Sequence, residues 1–324
     1  MISSMALPAA LQDGIDELVR CVDGRALERA AGSLSERYRT GGAAASRAAR
    51  SGAEVAAYLA TRAPATYAAV EDVCRRVRAA RPEWQPGSLL DLGAGPGIAS
   101  WAATNTWPSL EAMTLVEAEP AMADAGRTLG ARGSDVLRTA RWLECDAAER
   151  TGETAELVIA SYLLGELDSS LTGTFTDLAW RSTTDTLLVV EPGTTAGYER
   201  ILAVREHAVG AGGSVLAPCP HDNPCPLPAG DWCHFSVRLP RTRTHRTAKG
   251  AERGFEDEKL SYVVLTRSPH PHTGNARVLR RPELHRGHVV LDLCTPGGLE
   301  RRTVSKRDGA RYKEARKLGW GDTL

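Results

Sequence analysis

The chain has 324 residues, 42% hydrophobic and 25% charged, and its 40 Lys and Arg balance 40 Asp and Glu to a formal net charge of zero. That length allows one large domain or two ordinary ones with a sizeable core, and the balance excludes a global basic field as the route to nucleic acid. No apolar run approaches the ~20 residues that cross a bilayer, and residues 1–10 lack the basic-then-apolar order of a secretory signal, so the bacterial cytoplasm, without membrane contact, is the expected place. Seven cysteines is an odd number with no sign of secretion, so a disulfide framework is not expected. Cys21, Cys74 and Cys145 stand apart in the sequence and read as ordinary side chains.

Residues 1–86 read as a helical region. Tyr67, Val70, Val73, Cys74 and Val77 recur at helical spacing across 66–80, with Pro64 before and Pro82 after the run. Residues 24–52 hold the Arg-containing stretch 33–39 and an Ala/Gly patch, which reads as a helix pair or as a loose connection.

The next stretch organises the chain. Ser88 to Gly97 reads SLLDLGAGPG, an apolar strand that ends in Asp91-Leu92 and runs into a glycine-dense turn, with a helix starting at Ile98. A lone glycine loop is weak, and a phosphate-binding loop or a plain tight turn remains open. The G-x-G-x-G spacing directly after an acid resembles the first motif of class I S-adenosylmethionine (SAM) methyltransferases. Three further strand ends agree with that resemblance. Strand 113–117 ends at Glu117, where such proteins bind the ribose hydroxyls. Strand 141–146 ends at Asp146, placed for the adenine amine, and strand 156–161 ends at Ser161. The implied cofactor set is Asp91, Gly93, Ala94, Gly95, Gly97, Glu117, Asp146 and Ser161.

With a fifth strand at 186–191 and a helix over 195–209, residues 87–213 alternate strand and helix as in a Rossmann-like, doubly wound α/β sheet. Ligands of such sheets lie beyond the carboxyl ends of the strands where strand order reverses, so the set should converge there. The turn after the fourth strand, Ser161 to Leu167, lacks the Asn/Asp-Pro-Pro-aromatic motif that orients a target nitrogen, and no cysteine pair suits covalent pyrimidine methylation. No catalytic base is assigned; Tyr162 and Glu166 are the nearest candidates, with packing or capping as their other reading.

Residues 214–324 form a third region. Cys219, Cys225 and Cys233 lie on a Pro/Gly-rich loop with five and then seven residues between them, and Cys294 follows after sixty more. Thiols held on a stiff irregular loop in a reducing compartment point to zinc or an iron–sulfur cluster. Structural zinc favours C-x(2–4)-C pairs, so the wider gaps lean toward [4Fe-4S], with zinc as the alternative and His221 or His234 as substitutes for any one cysteine.

The D-L-G-A-G-P-G turn, S-Y-L-L-G-E-L, the E-P-G strand end, C-P-H-x(3)-C-P-L, D-W-C-H-F and the late cysteine together resemble the small-ribosomal-subunit methyltransferase-like family, across about residues 34–306. The resemblance implies a [4Fe-4S] cluster on Cys219, Cys225, Cys233 and Cys294. It also implies a partner in the small ribosomal subunit and its 16S-type RNA, either as a methyltransferase or as an assembly factor without catalysis. A SAM methyltransferase of another substrate with a structural zinc is the remaining alternative, and the oligomeric state is not readable. Cations gather in the same region, at 238–249, 277–286 and 301–317, where strand-like segments 259–266 and 287–293 suggest a small β-rich surface able to track RNA. Trp232, Phe235, Tyr262, Tyr312 and Trp320 are candidates to stack bases or to fill the core.

Overall fold

The computed structural model describes residues 5–40, 51–149, 152–249, 252–270 and 276–324. Among the described residues the chain opens with helices α1 (Ala9–Arg20), α2 (Gly24–Thr40), α3 (Gly52–Thr61) and α4 (Ala63–Ala80). The stretch 24–52 is thus helical up to Thr40; its Ala/Gly patch at 41–50 lies outside the described residues. Ser51 and Glu54 form a reciprocal capping box that starts α3. The α4 helix starts at Ala63 rather than near 66, because Pro64 sits in the first turn, where its missing N–H has no helical partner to lose.

The core then alternates β1 (Ser88–Leu92), α5 (Ile98–Thr106), β2 (Ala112–Val116), α6 (Pro120–Gly130), α7 (Asp135–Arg138), β3 (Arg141–Leu143), β4 (Ala155–Ser161), α8 (Thr172–Ser182), β5 (Thr183–Pro192), α9 (Thr195–Gly210) and β6 (Ser214–Ala217). Next come β7 (Phe235–Pro240), α10 (Arg243–Lys249) and β8 (Phe255–Thr266). The sheet order is β3-β2-β1-β4-β5-β8-β6, with β7 paired to β8. Strands β1 to β5 pair in parallel, and β8 runs antiparallel to β5, β6 and β7. Order reverses at β1, whose two neighbours are β2 and β4, so the crevice for a ligand opens above β1.

Alternate strand residues sort to two cores, as the period of two requires. Leu89, Leu157, Ile159, Leu188 and Val190 pack beneath the N-terminal helices and α5. Leu90, Leu92, Val158, Leu187 and Val189 pack against Phe175 and Trp180 of α8 and Ile201 and Val204 of α9. Helix α4 is buried along most of its length and is tied to the start of β5 by Arg81, just past its end, whose guanidinium grips Asp185 at 2.5 and 3.2 Å.

A second sheet follows: β9 (Arg277–Val278), β10 (Glu283–Leu284), β11 (His288–Thr295) and β12 (Gly298–Ser305), then α11 (Ala310–Ala315). It has its own small core of Val278, Val289, Leu291, Leu293, Val304 and Tyr312. Among the described residues no helix is long and apolar enough to cross a membrane.

Candidate functional site

Two sites lie along the carboxyl ends of the strands. The first is built on the turn between β1 and α5. Gly93, Gly95 and Gly97 all take left-handed φ angles, 67°, 53° and 74°, which a side chain disfavours. A Cβ on Gly93 would also press into Leu163, whereas at Gly95 the nearest atom is the Tyr58 hydroxyl at 3.9 Å, leaving that backbone open to an approaching ligand. Ala94 is buried, and its N–H donates to the Val116 carbonyl at 2.9 Å, which docks the turn on the end of β2.

Glu117 follows β2 and reaches the same turn. Its carboxylate accepts the Gly95 N–H at 2.7 Å and the Glu119 N–H at 2.8 Å, and burial holds its pKa above the usual carboxylate value. Each carboxylate oxygen retains a second lone pair for a hydroxyl ligand. Asp91 is fully buried; it accepts the Ser100 hydroxyl at 2.7 Å on one oxygen, while the other has no hydrogen-bond partner, and burial pushes its pKa up to about 7. Ser161 ends β4 as expected. Asp146 does not end a strand: β3 stops at Leu143, and the Asp146 carboxylate accepts the Ala148 N–H at 2.8 Å in an exposed turn beyond it.

The turn after β4 hangs on Glu191, which the sequence marks only as a strand end. Glu191 is fully buried at the end of β5, accepts the Leu164 N–H at 2.9 Å and one Arg200 N–H at 3.0 Å, and is pushed up to about 7 by burial. That scaffold carries Glu166, which burial and the charges of Glu117, Glu191 and Glu119 push up to about 8. Tyr162 has a left-handed φ of 57° and donates its hydroxyl to Glu258 at 3.1 Å, with Arg62 over its ring at 5.7 Å. A non-glycine residue in that conformation is held by its surroundings, here by Glu258 and Arg62.

The second site is the cysteine loop, which leaves β6 and returns at β7. Its backbone is strapped down from all sides. Arg205 donates to the His221 and Asn223 carbonyls at 3.0 and 2.6 Å, Arg277 to Pro218 at 2.7 Å, Trp232 to the Gly193 carbonyl at 3.1 Å, and Ser261 to the Cys233 carbonyl at 2.8 Å. So held, Cys219, Cys225 and Cys233 line one pocket together with Cys294, which β11 brings in across the sequence gap. The pocket encloses about 550 Å³ of space, part of it open to solvent, and its walls are otherwise mostly apolar.

Burial raises the pKa of Cys219, Cys233 and Cys294, the last to about 12, so these thiols are protonated unless a cation or metal stabilises the thiolates. His221 stands beside the set, its Nε2 3.4 Å from the Cys294 sulfur. His234 does not: it is stacked on Trp232 and met edge-on by Trp320. Among the described residues no three His, Cys, Asp or Glu side chains are arranged to hold one metal ion.

The aromatic candidates resolve toward packing. Phe235, Tyr262 and Tyr312 are buried in the cores and are not available to stack bases; Trp232 and Trp320 are half-buried around His234. Several cations are also committed: Arg301 to Asp292 and Glu283, Arg302 to Glu300, Arg238 to Asp257, and Arg241 and Lys249 to Glu256. Arg281, Arg286, Lys306, Arg307, Arg311, Lys313 and Lys317 are exposed on the second sheet and its flanks. Sequence reasoning gave neither Arg205 nor Tyr198 a role at this site. Their seven-residue spacing on one helix, with Ile201 and Leu202 between, was the available signal.

A parallel sheet reversing at β1, an antiparallel strand inserted between β5 and β6, and a glycine turn facing an acid-ended β2 define a class I methyltransferase-type fold. Residues 52–324 match the family described as Mitochondrial small ribosomal subunit Rsm22, and the chain belongs to that family. It is 29% identical over 285 residues to the human mitochondrial ribosome assembly protein METTL17, covering 82% of this chain and 61% of that protein. It is 26% identical over 323 residues to the mitochondrial Rsm22-cox11 tandem protein 2 of Schizosaccharomyces pombe, covering 83% and 43%. The chain therefore spans less than two thirds of the length of either relative. A solved O-methyltransferase family protein from Burkholderia thailandensis aligns over 71% of this chain and 62% of its own at 15% identity, with a TM-score of 0.44; the fold class stands on strand order, not on that likeness.

Proposed function

We propose that this protein binds SAM in the crevice above β1, carries a [4Fe-4S] cluster on Cys219, Cys225, Cys233 and Cys294, and acts in assembly of the small ribosomal subunit in contact with its RNA. In this reading residues 1–86 cap the crevice, 87–213 bind the cofactor, and 214–324 hold the cluster and the basic surface, in the reducing bacterial cytoplasm. The observation that carries it is the meeting of the four cysteines at one pocket, beside a sheet whose glycine turn is open at Gly95. The assembly role is carried over from the names of the relatives.

Bound SAM would supply an electrophilic methyl group; the chain's own contribution is to hold it, through Glu117 and the glycine turn, and to position an acceptor. A binding role without methyl transfer is the second reading, and the turn after β4 bears on it: the Tyr162 hydroxyl already donates to Glu258, so it is not posed as a base.

The test is anaerobic purification with an absorption spectrum near 400 nm, iron, sulfide and zinc analysis, and sequencing of co-purified RNA. About four irons per chain with enriched small-subunit RNA supports the reading. One zinc, no colour and no RNA overturns the cluster and the ribosomal partner together. Transfer of labelled methyl from SAM to small-subunit RNA separates enzyme from assembly factor.

A further inference from the structure

Helix α9 presents one face to the cysteine pocket: Tyr198, Ile201, Leu202 and Arg205, at i, i+3, i+4 and i+7, all line it. Two of these four are polar, and both line the pocket beside the cysteines. The Tyr198 hydroxyl donates to the Cys225 Sγ at 3.2 Å. Arg205 lines the pocket with Cys219, and one of its amino groups holds the His221 and Asn223 carbonyls.

Arg205 is only 3% exposed, and its Nε has no hydrogen-bond partner. Among the described residues its hydrogen-bond partners are two carbonyls, with no carboxylate in an ion pair. A buried guanidinium without an anion is strongly disfavoured. Four neutral thiols do not supply that anion. Four thiolates around a metal cluster do, since such a group carries net negative charge.

We infer that Tyr198 and Arg205 are positioning residues of the cysteine site, Arg205 as the buried counter-charge to a four-thiolate cluster and Tyr198 as a hydrogen-bond donor to one of its sulfurs. The inference rests on the cluster reading above. A cation and an O–H donor at the sulfurs favour the more negative, one-electron-reduced form, so both residues raise the reduction potential. Both also slow loss of the group, because removing either leaves a sulfur charge less compensated.

The experiment is a dithionite titration of the anaerobically purified full chain, each reduced cluster gaining one electron, followed by paramagnetic resonance and by the rate of iron release to a chelator. Tyr198→Phe keeps the ring and the pocket shape and removes only the hydroxyl. It should fold and hold wild-type iron, with a midpoint shifted to more negative potential and faster iron release. Arg205→Gln should shift the midpoint further and lose iron several-fold faster, and Arg205→Lys should recover part of both. Wild-type midpoints and release rates in Tyr198→Phe and Arg205→Gln overturn the inference while leaving the cluster in place. If Arg205→Gln does not fold, Tyr198→Phe decides alone, and if dithionite leaves the cluster oxidised, the release rates decide. Wild-type protein free of iron and sulfide overturns the cluster reading and this inference with it.

Discussion

The N–H of Gly95 donates to Oε2 of Glu117 at 2.7 Å, which ties the middle of the glycine turn to the end of the neighbouring strand. A carboxylate that accepts two backbone N–H groups is held still, and a hydroxyl ligand that met it would find its geometry already set. Replacing Glu117 with Gln removes the charge from those bonds and should weaken SAM binding by roughly tenfold to a hundredfold, about 1.5–3 kcal/mol. Calorimetric titration with SAM reads the change, and an unaltered affinity would remove Glu117 from the site.

Gly95 has φ of 53° and open space beyond it. Gly95→Leu should cost about 1–2 kcal/mol in backbone strain and place a side chain where the ligand approaches. The melting temperature should fall by a few degrees, roughly in line with that cost, while SAM binding disappears from the titration. Loss of binding together with complete unfolding would point to a structural turn instead.

Asp91 carries the pH dependence of the core. Its folded pKa of about 7 lies above the unfolded value of 3.8, so the folded state binds the extra proton. Its contribution to stability is full below pH 4 and is lost as pH rises through 7; Glu191, also at about 7, and Glu166, at about 8, act in the same direction. Asp91→Asn keeps an acceptor for Ser100 and has no charge to bury. It should match wild type at pH 4 and exceed it at pH 8.5 by about 4 kcal/mol. Urea denaturation at the two values checks this, and equal stability at both would place the Asp91 pKa near its ordinary range.

Cys294 comes to the pocket from β11, and its replacement isolates the second sheet from the loop. Cys294→Ser should lower iron from about four atoms per chain to a small residue and raise proteolysis near 276–324, while leaving SAM titration unchanged. Wild-type iron content in this variant would take Cys294 out of the ligand set.

Arg81 joins α4 to the start of β5 through a two-pronged grip on Asp185 and lies over the Trp84 ring at 4.8 Å. Truncation to Ala should destabilise by about 1–3 kcal/mol, since the pair is charge-assisted and partly shielded. Chemical denaturation reads the loss directly; a change under about 0.5 kcal/mol would mean the pair behaves as an exposed surface bridge.

Strands β1, β2 and β5 were legible because each is a short apolar run that stops at an acid or a glycine turn, all within a few residues of itself. Leu89 to Gly97 needs no distant partner to declare strand, turn and helix. Asp146 was misplaced because its turn is closed by its own carboxylate on the Ala148 N–H, a local competition that propensity does not weigh. Glu191 was visible only as a strand end. Its role as the peg for the turn carrying Glu166 depends on β4 and β5 lying side by side.

What the amino-acid order alone determined is the alternation of strand and helix, the left-handed glycine turn and the presence of four cysteines at unusual spacing, since these follow from side-chain period and backbone sterics. What only the tertiary structure decided is which groups meet. The sixty-residue gap before Cys294 is closed by β11, Phe235 and Tyr262 are drawn into the core rather than left to stack bases, and α9 turns Tyr198 and Arg205 toward the cysteine pocket. Those outcomes rest on packing between elements far apart in the chain, where the burial of apolar area sets the arrangement and the polar groups must find partners within it.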